Sequence, residues 1–404
     1  MSPRNIKELA VKHADYIVDR RRFYHACPEL SLQEKETIQK IRADLEAMGI
    51  TDIRMMETCY GLIANIHGAK PGKTIALRAD IDGLSVPEAT GLPFASQNPG
   101  AMHACGHDNH IAIQLGAAKI LQDCKEELCG TVRLVFQPAE EVAQGARRMV
   151  AEGAMEGVDA LYGAHVWSML EAPYVDFSAG NRMACCHSFT IEVEGMTAHA
   201  STPHLGKDAI TVAAAIINNL QQCVSRMNDP LNPMVLTIGT IQGGVRWNCT
   251  AGRCTLEGTI RTFAQGDLVE RQMRQIVEHT GAAFGAKATM PRYDYMTDPV
   301  INKSEMMLRI GREAVTKLYG AEYVANLPTM MGSEDFSVLS CDDKIPYLFG
   351  FVGSRNTAKG IGVDAETGAV YSNHHEKYDM DEDALHRASA VAAQIAADFL
   401  AENA

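Results

Sequence analysis

The chain has 404 residues, of which 46% are hydrophobic and 22% charged, and its 37 Lys and Arg against 50 Asp and Glu give a formal net charge of −13. That length exceeds one ordinary core and points to two domains, with one inserted in the other as an option. The acidic balance, with no basic run longer than Arg20–Arg22, argues against nucleic acid or an anionic membrane as partner.

The first residues, MSPRNIKELAVKHADYIVDRRR, carry charges every few positions and give no apolar stretch of the kind a signal peptide or spanning helix needs. The expectation is a cytoplasmic protein. Eleven cysteines, an odd number scattered through a long chain, argue against a disulfide framework. Residues 5–50 show helical periodicity, and PELSLQEKETIQKIRADLEAMGI ends at Gly49 as a helix should. YGLIANI and KTIALRADI then read as strands, Ile111–Leu121 as a helix, GTVRLVF as a strand, Val142–Ala151 as a helix and DALYGAHV as a strand. This is the rhythm of an α/β layer around a largely parallel sheet.

After FSAGNRMACC the texture changes. HSFTIEVEG alternates as a half-exposed strand does, Asp208–Met227 reads as a helix, MVLTIGTI and GRCTLEGTIRTF as strands, and Leu268–Phe284 as a helix. That content is a small α+β sandwich. From Pro299 onward, helices and the apolar strand IPYLFGF resume the first texture. The expected architecture is therefore a discontinuous α/β domain, residues 1–182 and 296–404, with a second domain inserted at 183–295.

The densest chemistry is MHACGHDNH, which sets His103, Cys105, His107, Asp108 and His110 within eight residues. The apolar-periodic helix starts near Asn109, which leaves Cys105 and His107 in the loop ahead of it. Thiolate and imidazole one residue apart suit Zn²⁺ and its borderline neighbours. A capped helix start, with Asp108 or Asn109 as N-cap and surface histidines, explains the same letters. So does a Cys105 nucleophile with a histidine base.

Glu140 and Glu141 in QPAEE fall at the carboxyl end of one strand and the amino end of a helix, where open α/β sheets place ligands. A helix dipole accounts for one acid there. Two adjacent acids raise each other's pKa unless a cation lies between them. A metal would resolve the repulsion, one carboxylate binding it and the other taking a proton from water.

His165, after DALYGA, and His374, in YSNHHEKYD, also suit a metal, although each alone is as well explained as a structural histidine. Asp80 and Asp82 in RADIDG are candidates for orienting a ligand, or simply turn acids before Gly83. In the inserted segment, His199 and His204, Asn248, Arg261 and, more weakly, Arg253 are polar residues able to hold a carboxylate or polarise a carbonyl, or ordinary surface residues. MGSEDFS, residues 331–337, is a glycine-turn motif whose role spacing does not reveal.

Taken together, RRFYHACPELSLQEKET, LRADIDGLSV, MHACGHDNHIA, VFQPAEE, GAHVW, HASTPH, GTIQGG, GTIRTF and GSEDFS resemble, in order and across nearly the whole chain, the M20 family of metallopeptidases and amidohydrolases. Within it they resemble the branch of hippurate hydrolases, auxin-conjugate hydrolases and N-acyl-amino-acid deacylases. The resemblance implies a di-metal aminopeptidase-like catalytic domain with an inserted α+β lid that also serves dimerisation. It implies two divalent ions per subunit, Zn, Mn, Co or Ni, bridged by Cys105, with His107 and His165 completing one site and Glu141 and His374 the other.

Glu140 would be the general base acting on a water that bridges the metals. His199 would stabilise the oxyanion, reaching the active site of the partner subunit in a homodimer, and Asn248 and Arg261 would hold the substrate. The implied reaction splits an N-acyl amino acid, acetyl, benzoyl or related, into an acid and a free amino acid. The alternatives are a dipeptidase or carboxypeptidase of the same family, a non-catalytic binding protein and the Cys105 thiol hydrolase. The chain reads TAHAS, NCTA and His374-His375-Glu376 where the family often has GGHAA, NVIP and HSP, so His375 is a second candidate for the last ligand.

Overall fold

The structure is a computed structural model and describes residues 3–263 and 266–404. The chain divides into two compact units. The larger comprises Met1–Arg182, Ile301–Pro328 and Asp335–Ala404; the inserted unit comprises Met183–Val300 and Thr329–Glu334. The expected boundary at residue 295 falls inside a strand that runs to Thr297. Each unit has its own apolar cluster, which is what makes it a domain in the physical sense.

In chain order the larger unit begins with α1 (Pro3–Lys12), α2 (Ala14–His25), α3 (Lys35–Ala47), β1 (Ile53–Met55), β2 (Leu62–His67) and β3 (Lys70–Asp80). It continues with α4 (His107–Asp123), β4 (Cys129–Gln137), α5 (Gly145–Ala151), β5 (Ala160–Glu171) and β6 (Val175–Asp176). The chain crosses to the inserted unit in β7 (Gly180–Met183), forms β8 (Cys185–Glu194), α6 (Ala209–Gln222), β9 (Met234–Gly243), β10 (Arg253–Thr262), α7 (Gly266–Ala283) and β11 (Lys287–Thr297), and crosses back in β12 (Val300–Asn302). There follow α8 (Glu305–Tyr319), β13 (Val324–Ala325), β14 (Tyr347–Arg355) and α9 (Asp383–Glu402).

The larger sheet has the order β1-β2-β4-β3-β5-β14-β6-β13. Its centre, β4-β3-β5-β14, is parallel throughout. These strands are buried on both faces, as the near-continuous burial of β3 from Ile75 to Asp80 and of β14 from Tyr347 to Ser354 shows. Such a sheet needs helices to cover it, and α4 and α9 pack together against β3. The inserted unit is an antiparallel sheet, order β11-β8-β10-β9. In β8 burial alternates from His187 to Val193, as HSFTIEVEG predicts. Helices α6 and α7 cover one face, Ile216, Leu220, Met273 and Val277 sharing a cluster with Phe189, Ile191, Leu256 and Ile260.

Two local expectations change. Helix α4 starts at His107 rather than Asn109, so His107 lies in its first turn while Cys105 stays in the loop. Helix α5 starts at Gly145 rather than Val142. Ala139 and Ala143 take left-handed backbone angles, φ 51° and 54°, which a helix cannot contain, so residues 138–144 form an irregular loop.

Candidate metal centre

The carboxyl ends of β3 and β4, the middle of β5 and the amino end of α4 bring the candidate donors together; His165 lies within its strand rather than after it. Asp80 closes β3, the Glu140 loop follows β4, His165 lies in β5 and His107 opens α4. Gly106, at φ 99°, makes the approach possible: a Cβ there would meet Val166 Cγ2 at 2.4 Å. His374 arrives from the other side of the chain. Its amide donates to Ala104 O at 2.8 Å, and the neighbouring Asn373 side chain donates to Cys105 O at 2.9 Å and Val166 O at 3.2 Å.

Cys105 Sγ lies 3.2 Å from His165 Nε2 and 3.3 Å from His374 Nε2. His374 Nε2 is 3.4 Å from Glu141 Oε1, and His107 Nε2 is 4.0 Å from both Glu141 Oε1 and Glu140 Oε2. The ligand atoms of Cys105, His107 and His165 lie within 4.8 Å of one another, and so do those of Cys105, Glu141 and His374. Cys105 is common to both groups. His107, Glu140 and Glu141 make a further group of the same kind. His375 is turned to other work, accepting from Lys377 N at 3.0 Å and packing its ring at a tilt against Tyr371.

Three observations show that these residues suit cations. His107 Nδ1 faces Asp82 Oδ1 at 3.2 Å, and His165 Nδ1 donates to Val166 O at 2.6 Å, which leaves a lone pair on each Nε2. His107 Nε2 and Glu141 Oε1 are buried with no hydrogen-bond partner, a costly state that a cation relieves. Burial, then the charges of Glu141, Glu140 and Asp80, push the Cys105 thiol well above its ordinary value. A thiolate nucleophile would need the opposite surroundings, so the geometry argues against the thiol-hydrolase reading. A metal reverses the sign of the local field and deprotonates a coordinating thiol.

Asp80 and Asp82 are both fully buried but differ in task. Asp82 holds His107 Nδ1 and also accepts from Ser31 Oγ at 2.6 Å and from Glu141 N at 3.1 Å. Asp80 is bonded to His110 Nδ1, receives Arg78 Nη1 at 2.8 Å and sits 3.5 Å from His107 Nε2. Against a burial that would raise it, Arg78, His107 and His110 hold Asp80 well below the usual carboxylate range. The carboxylate at His107 Nδ1 is thus Asp82, while Asp80 faces His110 Nδ1 and His107 Nε2. His110 accepts from Val166 N at 2.9 Å, and His103 is buried with neither ring nitrogen hydrogen-bonded.

Asp108 is not an N-cap. It is buried, with His25 Nδ1 at 2.8 Å and Arg21 Nε at 3.0 Å, and Arg21 also reaches Asp379 at 2.7 Å and Glu382 at 3.2 Å. Spacing missed these supports, along with Glu34 and Asp335. The signal available was the density of polar residues in RRFYHACPELSLQE, which amphipathic periodicity alone does not require.

Within the inserted unit His199 is exposed, its Nδ1 2.7 Å from Ser201 Oγ, and its strand bridge to Cys249 sets it beside the loop of Asn248. Asn248 O accepts from Ala200 N at 3.1 Å. Arg261, on β10, donates to Ser333 Oγ of the GSEDFS motif. Arg253 pairs with Glu192 at 2.9 Å on an exposed surface. His204 lies exposed in the turn Pro203–Leu205.

An open α/β sheet carrying two overlapping Cys/His/Glu donor groups defines a class of metallohydrolase. Residues 76–398 match the family model for Peptidase family M20/M25/M40, and the chain belongs to that family. It is 37% identical over 383 residues to an N-acetylcysteine deacetylase of Bacillus subtilis (strain 168), covering 94% of this chain and 96% of the relative. It is 34% identical to thermostable carboxypeptidase 1 of Saccharolobus solfataricus, covering 95% of each. Among solved structures, a dinuclear metal-binding peptidase of the M20 family from Bacillus subtilis superposes with a TM-score of 0.81 at 34% identity, over 96% of this chain and 99% of that one.

Proposed function

We propose that this protein is a metal-dependent amidohydrolase that cleaves an N-acyl amino acid into a carboxylic acid and a free amino acid. Cys105, His107, His165, Glu141 and His374 hold two divalent ions, and Glu140 is the general base. The observation that carries the reading is the pair of donor groups sharing Cys105, with His107 Nε2 and Glu141 Oε1 buried and unbonded beside Glu140. Imidazole, thiolate and carboxylate donors suit Zn, Mn, Co or Ni. When bound, such ions polarise the scissile carbonyl and make water acidic enough to deprotonate near neutral pH.

The residues of the chain do the rest. Asp82 and the Val166 carbonyl fix the tautomers of His107 and His165, so that each presents Nε2. Glu140 takes a proton from the attacking water as the carbon–oxygen bond forms, and returns it to the nitrogen as the carbon–nitrogen bond breaks. The amine leaves neutral and no charge is stranded. His199 stabilises the oxyanion that develops on the carbonyl, and Asn248 and Arg261 hold the substrate carboxylate. The inserted unit serves as lid and dimerisation domain of a homodimer, in which His199 acts on the partner subunit's substrate.

The eleven cysteines are all free, in keeping with the reducing cytoplasm as its setting. Among the described residues no helix is long and apolar enough to cross a membrane. The test is a panel of N-acetyl, N-benzoyl and long-chain N-acyl amino acids and dipeptides, assayed on protein stripped by a chelator and reloaded with each metal. Turnover of N-acyl amino acids that vanishes on stripping and returns on loading is expected. Full activity after stripping, with loss on iodoacetamide, would sink the metal reading. The likeness to a carboxypeptidase makes preference for dipeptides the rival outcome.

A further inference from the structure

The loop between β4 and α5 carries Glu140 and Glu141 in a shape that its own sequence does not favour. Ala139 and Ala143 are both left-handed, a conformation that is unfavourable for any residue carrying a Cβ. A strained loop keeps its shape only where its surroundings over-determine it. Asp335 of the GSEDFS motif holds both ends, accepting from Gln137 Nε2 at 2.6 Å and from Ala146 N at 3.3 Å. Inside the loop, Ala139 O accepts from Gln144 N at 3.2 Å and Gly145 N at 3.3 Å, and Glu140 O accepts from Ala143 N at 2.7 Å. Gly145 is forced by the closeness of the turn: a Cβ there would lie 1.5 Å from Pro138 O. Asp82 accepts from Glu141 N.

The remaining grip comes from far away in sequence. Glu34, at the start of α3 and 0% exposed, accepts from Ala139 N at 2.7 Å through Oε1. Its Oε2 has no hydrogen-bond partner. A buried carboxyl oxygen that accepts from a buried backbone amide fixes that amide, because breaking the bond would leave the N–H unpaired away from water. Here the amide belongs to Ala139, the residue directly before Glu140 and one of the two left-handed residues of the loop.

We propose that Glu34 is a positioning residue: by holding the Ala139 amide it locks the turn that sets the directions of Glu140 and Glu141, and so governs both turnover and metal affinity. This rests on Glu140 acting as base and Glu141 as ligand. Because the bond uses one oxygen, an amide in its place can keep it, whereas an apolar side chain of similar size cannot.

The test compares Glu34→Gln with Glu34→Leu by three readouts: deuterium uptake of the peptide covering Ala139, the dissociation constant for Zn²⁺ by chelator competition, and kcat and KM on N-acetyl amino acids. For Glu34→Leu the Ala139 peptide exchanges faster, Zn²⁺ binds roughly tenfold more weakly, and kcat falls about a hundredfold with KM within about threefold. Glu34→Gln stays near the wild type in all three. Unchanged Zn²⁺ affinity and kcat in Glu34→Leu would overturn the proposal. So would a loss of roughly tenfold or more in kcat or Zn²⁺ affinity in Glu34→Gln, which would make the charge rather than the bond the working part; that arm is read against the wild type and decides even if Glu34→Leu does not fold. Deuterium uptake and Zn²⁺ affinity read the turn without any substrate, so a wild type that cleaves no N-acyl amino acid would remove the proposed function and leave this inference to be judged on those two.

Discussion

The two units treat their candidate functional residues in opposite ways. In the larger unit Cys105, His107, Asp80, Asp82 and Asp108 are buried, and the acids and His107 have specific partners. In the inserted unit His199 is exposed and Asn248 and Arg261 are half-buried, with one or two bonds each. Burial makes the first set legible: charge and lone pairs removed from water must be completed by a partner, as Arg21 and His25 complete Asp108 and as a cation would complete the cluster around Cys105. Exposed polar residues are completed by water, so their geometry alone does not reveal a task. The larger unit should therefore answer substitution with changes in metal content and stability, and the inserted unit with changes in turnover alone.

The sharpest break of that contrast lies inside the acid pair. Glu140→Gln should retain metal and lose about a thousandfold or more in kcat, while Glu141→Gln should lose metal as well, both measured by elemental analysis beside steady-state kinetics. Equal metal loss in the two would end the division between base and ligand. Next in size is Arg21→Met. Arg21 is 1% exposed and faces Asp108, Asp379 and Glu382. Its removal leaves the buried Asp108 with His25 as its remaining cation, at a cost of about 3 kcal/mol in urea denaturation. A loss of stability no larger than that of a surface substitution would show that Asp108 does not need the guanidinium.

Much of this was legible in the sequence, because period and composition report burial. The parallel core strands read as apolar runs, β8 as an alternation, and the α6 and α7 helices as periodic segments. Legibility failed where backbone angles, not side-chain pattern, decide. Val142–Gln144 look helical, yet the left-handed Ala139 and Ala143 keep them in a loop, and His107 enters α4 because Gly106 can take φ 99° as its cap. The candidate ligands are named from motif order, but the residues that support them are not. Glu34, Arg21, His25 and Asp335 lie far along the chain from the groups they hold, and no local spacing encodes a contact between residues 34 and 139.

For the exposed set the expectation is reversed. His199→Ala should reduce kcat by about a hundredfold with metal content and thermal midpoint at wild-type values, since its side chain is exposed and bonded only locally. A fall in metal content would mean that His199 belongs with the ligands; unchanged kcat would remove it from the reaction.

The smallest effect separates the buried network from everything else that titrates. Burial alone would lower the pKa of His25, but Asp108 and Glu88 overcome it and raise the value from 6.5 to about 9. The folded state therefore holds a proton that the unfolded chain releases between those values. The resulting stability is complete below about pH 6.5 and is lost as pH climbs through 9. Between pH 8 and 9.5 the wild type should lose about 1 kcal/mol from this source. His25→Gln keeps a hydrogen-bond donor for Asp108 but no titrating proton, so the gap in stability between wild type and variant should narrow over that window. Differencing the two cancels the pH dependence of metal binding, which both share. A gap that stays constant from pH 7 to 9.5 would mean that His25 is neutral in the fold and that Arg21 alone balances Asp108.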